Sequence, residues 1–147
     1  MNFKKIYITV LTLLISFGFS YASELLFDQA ITYYNEAVRA QKKGDFTQAM
    51  SNYQKAMFLM GTGERNYKKF VLNNVAVIYA EEGDFENAAI TLLQALKIDP
   101  DYKEANFNMA ILYFKSGMVK EGLEYIEKLT NRAELFVISE ELQLPLK

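Results

Sequence analysis

Leu72–Pro100 reads LNNVAVIYAEEGDFENAAITLLQALKIDP, two apolar stripes at helical spacing joined through a single glycine. In the first stripe Leu72, Val75, Ala76 and Tyr79 fall on one helix face, and in the second Ala88, Leu92, Ala95 and Leu96 do the same. Gly83 stands where a left-handed residue would close the first helix, and Asp84 stands where a side-chain oxygen would cap the second. Pro100 then breaks the pattern, because the residue before a proline is pushed out of helical geometry. The stretch therefore predicts a pair of antiparallel amphipathic helices with small alanines at their seam.

The same pair is written elsewhere in the chain. Gly44-Asp45-Phe46 precedes Gly83-Asp84-Phe85 by 39 residues, and a third glycine, Gly117, follows 34 residues later. Alignment on these glycines superposes Ala37, Ala76 and Ala110; Ala49, Ala88 and Gly122; Tyr53, Leu92 and Ile126; and Ala56, Ala95 and Leu129. A period of this size means stacked helical pairs, each too small to bury its apolar face alone. With these columns and Pro100 in place, the chain resembles the tetratricopeptide repeat family over nearly the whole region after the N-terminal segment. The resemblance implies an all-α fold, a right-handed α-solenoid of three helix pairs with a C-terminal capping segment. The repeats are expected at about 30–63, 69–102 and 103–136, with the closing segment at 131–147.

The departures from that pattern carry information too. The wider first spacing places a longer loop at Gly61-Thr62-Gly63-Glu64-Arg65-Asn66. Glu36 replaces a usual leucine in the first copy, as suits a terminal repeat whose outer side meets water. Met118 and Val119 replace the capping Asp-Phe in the third copy, which makes its second helix the least secure. Asp101 with Glu104 predicts a capping box for the first helix of that copy. Beyond it, Leu135-Phe136-Val137-Ile138 forms a continuous apolar run, and Leu142, Leu144 and Leu146 follow.

The N-terminal segment is of a different kind. Lys4 and Lys5 precede an apolar stretch from Ile6 to Phe19, and Ser20-Tyr21-Ala22 presents small residues at the two positions an export peptidase reads. This predicts a signal peptide at 1–22, cut after Ala22, and a repeat domain at 23–147 that is exported, to a periplasm in a bacterium or secreted otherwise. The stretch Ile6–Ser23 carries no charge over 18 residues, the short end of what spans a bilayer, so membrane contact is expected only where the segment is retained.

Composition closes off several function classes. Among 147 residues there is no cysteine and no histidine, which removes disulfides, thiolate and imidazole metal sites, and Cys- or His-based nucleophile chemistry. Sixteen Lys and Arg against 18 Asp and Glu give no basic field for nucleic acid. Acidic residues such as Glu121, Glu124 and Glu127 share an outer stripe without ligands converging from another segment, and Gly61-Thr62-Gly63 lacks the lysine and preceding strand of a phosphate loop. No enzyme activity, cofactor, metal or small-molecule substrate is expected.

The resemblance directs attention instead to the first helix of each pair, whose inner positions line a concave groove in the family. Those positions place Asn35, Asn74 and Asn108 in one column. Asparagine inside a helix costs on the order of 0.5 kcal/mol relative to alanine, so its repetition suggests a use. One use is contact with the backbone of an extended peptide; the other is hydrogen bonding within the stack. Tyr34, Phe70, Phe107 and Phe114 add aromatic residues to that face, with Asn73 and Ile111 beside them. Lys42, Glu81, Glu104 and Lys115 are too sparse and mixed for a clamp on a terminal carboxylate, so recognition through backbone and apolar side chains is expected.

The function so read is a non-enzymatic adaptor or scaffold that holds a partner protein or peptide in its groove, within a cell-envelope assembly or secretion complex. The alternative is a homo-oligomeric subunit that associates through the apolar C-terminal segment.

Overall fold

A computed structural model describes residues 3–61 and 65–129, all helices and short turns: α1 (Phe3–Lys42), α2 (Phe46–Leu59), α3 (Arg65–Glu81), α4 (Phe85–Ile98), α5 (Lys103–Lys115) and α6 (Val119–Glu127). The chain is all-α with a tetratricopeptide-type fold, and among the described residues there is no strand. The expected closing segment at 131–147, with Leu135–Ile138, lies outside the described residues. Of the expected loop, Gly61, Arg65 and Asn66 are described; α3 already begins at Arg65. The chain divides into two compact units at residues 64 and 65.

Three helices end by one device. Gly44, Gly83 and Gly117 take φ of 76°, 82° and 75°. In each case the glycine N–H and the N–H after it bond back into the last turn, as in Gly44 to Gln41 O at 2.9 Å and Asp45 to Ala40 O at 3.0 Å. A residue with a Cβ pays steric strain in this left-handed conformation, so glycine sets where α1, α3 and α5 stop. Asp45 and Asp84 then cap the following helices, accepting from the N–H of Gln48 at 3.0 Å and of Asn87 at 3.1 Å. Met118 occupies the same place before α6 and makes no cap bond.

In the first unit α1 packs on α2 from Phe27 onward. Ala30, Ala37, Ala40, Ala49 and Ala56 are almost wholly buried, and Tyr53 fills the seam with its hydroxyl donating to Gln41 Oε1 at 2.7 Å. The N-terminal part of α1 is exposed from Ile6 through Leu26, and the helix runs unbroken through the expected cut at Ala22. By length and composition this helix is long and apolar enough to cross a membrane.

In the second unit α3–α4 and α5–α6 are the two helix pairs, and α5 also packs against α3 and α4. Ala76, Leu92, Ala95, Tyr102, Ala105 and Met109 form the shared core. Leu92 and Ile126, from one sequence column, are both buried, and each such side chain contributes roughly 1.5–3 kcal/mol.

The turn between the pairs departs from the sequence expectation. The capping box of Asp101 and Glu104 does not form; the residue before α5 is Tyr102, with no side-chain cap bond. Tyr102 is buried, and drawing it inward shifts the start of the helix past Asp101. Asn106 secures the turn instead, donating to Pro100 O at 2.9 Å and Tyr102 O at 3.1 Å.

Candidate partner-binding face

The face built by α3 and α5 is where the second unit gathers the expected site residues. Helical spacing brings Asn73, Asn74 and Val77 to one side of α3, and Glu104, Phe107, Asn108 and Ile111 to one side of α5. Asn108 donates its amide to Asn73 Oδ1 at 2.8 Å, a link between helices 35 residues apart in sequence. Asn73 is buried, and its own amide reaches Asn74 Oδ1 at 3.4 Å. The asparagine column is thus partly consumed by bonding between neighbouring helices, the second of the two uses open to it. Asn35 is exposed on α1 of the first unit.

Two hollows flank the Asn73–Asn108 link. One, of about 80 Å³, is bounded by Val77, Ala80, Glu81, Asn108, Ile111 and Lys115. It has an apolar floor between one carboxylate and one ammonium. The other, of about 450 Å³, is lined by Asn73, Lys103, Glu104, Phe107, Asn108, Ile126 and Leu129. Phe107 is 46% exposed there, an aromatic ring with its face open to whatever enters.

The remaining aromatic residues divide by what they touch. Phe70 meets Tyr102 edge to face at 5.5 Å between ring centres. Lys69 lies 5.2 Å from both ring centres and forms an ion pair with Asp99. Phe70 therefore helps hold α3 against the start of α5 as well as facing outward. Tyr34 packs on Tyr53 at 6.0 Å within the first unit. Phe114 lies over Gly122, where an added Cβ would stand 2.3 Å from its Cε1. Of the aromatic anchors expected from sequence, Phe107 is the one most open on this face. Lys69, Tyr102 and Asn106 were missed; a lysine within one helix and a tyrosine in the turn before another give no signal until the turn at Pro100 brings them together.

Electrostatics around the face are modest. The hydrogen bond from Lys69 holds the Asp99 carboxyl below the usual carboxylate range, against the opposing effect of burial, with the Asp101 N–H assisting. Burial pushes the Tyr125 phenol up, with Tyr113 and Glu124 adding to it. Among the described residues no group of three acidic side chains stands together as a cation site. What the face offers is an amide pair, an open ring and two shallow hollows with apolar floors and charged rims, an arrangement that can bind a partner segment.

Residues 77–117 match the family model described as TPR repeat. Relatives include the photosystem I assembly protein Ycf3 of Synechococcus elongatus, 31% identical over 93 residues, 63% of this chain and 53% of that protein. Ycf3 of Cyanophora paradoxa is 31% identical over 112 residues, 74% of this chain and 63% of that protein. The chain spans about half the length of most of the curated relatives it matches. Similar folds include the second TPR of Spaghetti (RPAP3) bound to HSP90 peptide SRMEEVD, with a TM-score of 0.65 at 20% identity, covering 78% of this chain and 94% of that one. The N-terminal domain of stress-induced protein-1 from C. elegans gives 0.63 at 21% identity, covering 80% and 97%.

Proposed function

This chain is a tetratricopeptide-repeat protein, by the repeat at residues 77–117 and by its fold, and from that premise we propose that it is an adaptor that binds a segment of a partner protein on the α3–α5 face, without turnover. The observation that carries this reading is the pairing of Asn73 and Asn108 beside the open ring of Phe107. The paired amides keep α3 and α5 in register, so the face is preformed and a flexible partner bears most of the ordering entropy. Asn74, whose Oδ1 accepts from Asn73, borders this face, and Phe107 and Ile111 take a partner's apolar side chains.

The names of the relatives support a role in the assembly of a multi-subunit complex and do not speak for an envelope complex. Placement at an envelope rests on the N-terminal half of α1. Its apolar run follows Lys4 and Lys5, which by the bias of basic residues stay on the cytoplasmic side while the repeats cross.

The test is affinity capture from a membrane extract with the chain and with a Phe107→Ala, Asn74→Ala variant of equal helicity by circular dichroism. A specific protein retained by the first and lost from the second is the expected result. Capture unchanged by the substitutions would remove this face as the binding site.

A further inference from the structure

The first unit carries an apolar feature that the α3–α5 face does not use. Phe58 near the end of α2 is 84% exposed, more than any other large apolar side chain among the described residues. Its position in the fold is specific. Because α2 returns antiparallel to α1, Phe58 and Leu59 come to lie beside Gln29 and Tyr33 around a shared hollow. Gln29 lies three residues past the exposed apolar part of α1, which includes Phe19 at 79% and ends with Leu25 at 70% and Leu26 at 45%.

Distances along the helix decide what this neighbourhood is. At 1.5 Å per residue the uncharged stretch Ile6–Ser23 is about 27 Å long, close to the ~30 Å of a bilayer's hydrocarbon core. Gln29 lies six residues past Ser23, about 9 Å further along the axis. That is the depth of the headgroup layer and its edge. The side chains at that level have the character of this zone: the Phe58 ring is turned outward, and Lys55 sits 5.2 Å from the ring centre of Tyr33. Aromatic rings with a polar neighbour and long lysines settle at the membrane surface, the ring among the upper acyl carbons and the ammonium among phosphates. Glu24 and Asp28 precede Gln29 on the membrane side and Lys55 lies beyond it over Tyr33, so the first unit carries charge of both signs around this surface and fits a zwitterionic lipid.

We propose that, where the N-terminal helix is retained, the first helix pair rests on the bilayer with Phe58 inserted at the lipid–water interface. The proposal rests on the membrane placement of α1 given above. It also draws on the continuity of α1 through Ala22, where Ser23 Oγ donates to Ser20 O at 2.8 Å within the unbroken helix. Lipid is then the occupant of this surface, and the first repeat is held at a set height above the membrane by two points, the span and the Phe58 ring.

The chain has no tryptophan, so a single substitution makes a unique fluorophore. Phe58→Trp and Phe17→Trp variants of the full chain, checked by mass for an intact N-terminus, are reconstituted into phosphatidylcholine vesicles. Lipids brominated near the headgroup end or the middle of the acyl chain serve as quenchers, and iodide as the aqueous one. Quenching of Phe58→Trp by the shallow bromines, with several-fold protection from iodide, is expected, together with quenching of Phe17→Trp by the deep ones. If Phe17→Trp is quenched by lipid and Phe58→Trp stays open to iodide, the span stands and the interfacial role of Phe58 is overturned, leaving that ring to a protein partner. If lipid quenches neither, the membrane placement of α1 fails and takes this inference with it.

Discussion

The ring of Phe114 occupies the space a side chain at Gly122 would fill: a Cβ there would lie 2.3 Å from Cε1 and 2.5 Å from Cδ1. The equivalent positions in the other copies hold Ala49 and Ala88, and the position of the second copy that corresponds to Phe114 is the small Ala80. Bulk has moved from one helix of the pair to the other. Gly122→Ala gains about 1 kcal/mol of helix propensity and loses about 1–3 kcal/mol to overpacking, so it is neutral to destabilising by up to ~2 kcal/mol. In a Phe114→Ala background the same substitution stabilises. Urea denaturation of the four proteins gives the coupling directly, and additive effects would show that the ring does not press on Gly122 in solution.

Asn108→Ala leaves the buried Oδ1 of Asn73 without its donor at 2.8 Å. An unpaired buried acceptor costs about 1–3 kcal/mol, so the variant loses stability by that order. Asn35→Ala, on an exposed helix position, is neutral or gains a few tenths of a kcal/mol. Thermal melts of the two variants should therefore move in different directions, although both change the same sequence column.

Met118 has φ −88° and ψ 67°, nearly the values of Asp84 at −84° and 71°, yet offers no acceptor to α6. Met118→Asp supplies the missing cap and raises stability by roughly 0.5–1 kcal/mol. The reverse experiment, Asp45→Ala, removes the bond to the Gln48 N–H and lowers stability by about 1 kcal/mol. Failure of Met118→Asp to raise the melting temperature would mean that the first turn of α6 is capped otherwise in solution.

The Asp99 carboxyl is held below its ordinary range by Lys69, and that of Asp84 by the side chain and N–H of Asn87. A folded-state value below the unfolded one means that the folded state releases the proton more readily. The stabilisation is thus complete above the unfolded value of about 3.9 and is lost as pH falls through the lower folded values. Lys69→Met keeps the packing stem over Phe70 and Tyr102 and removes the ammonium. The acid limb of melting temperature against pH, between about pH 5 and 2, should become shallower in that variant and more so with Asp84→Asn added. An acid limb unchanged by Lys69→Met would place the loss elsewhere.

Legibility in the sequence followed the range of the interaction. Gly44, Gly83 and Gly117 and the alanines of the shared columns could be read directly, since backbone geometry and helix spacing are local and a residue without a Cβ announces its task. The Asp101–Glu104 box could also be read and did not form, because burial of Tyr102 against α3 outweighs a cap worth about 1 kcal/mol. Phe114 read as a groove anchor for the same reason: nothing near it in sequence shows that Gly122, eight residues on, leaves room for its ring.

By itself the sequence determined that this is an all-α chain of repeated helix pairs, where α1, α3, α4 and α5 stop, and that an uncharged apolar segment precedes the repeats. These are matters of period, chirality and composition, which act over a few residues at a time. The tertiary structure alone decided which asparagines bond to one another, which aromatic ring stays open and that Phe58 returns to the level of Gln29. Those outcomes depend on how the ends of separate helices meet in space, and no local pattern encodes the distance between residues 35 apart such as Asn73 and Asn108.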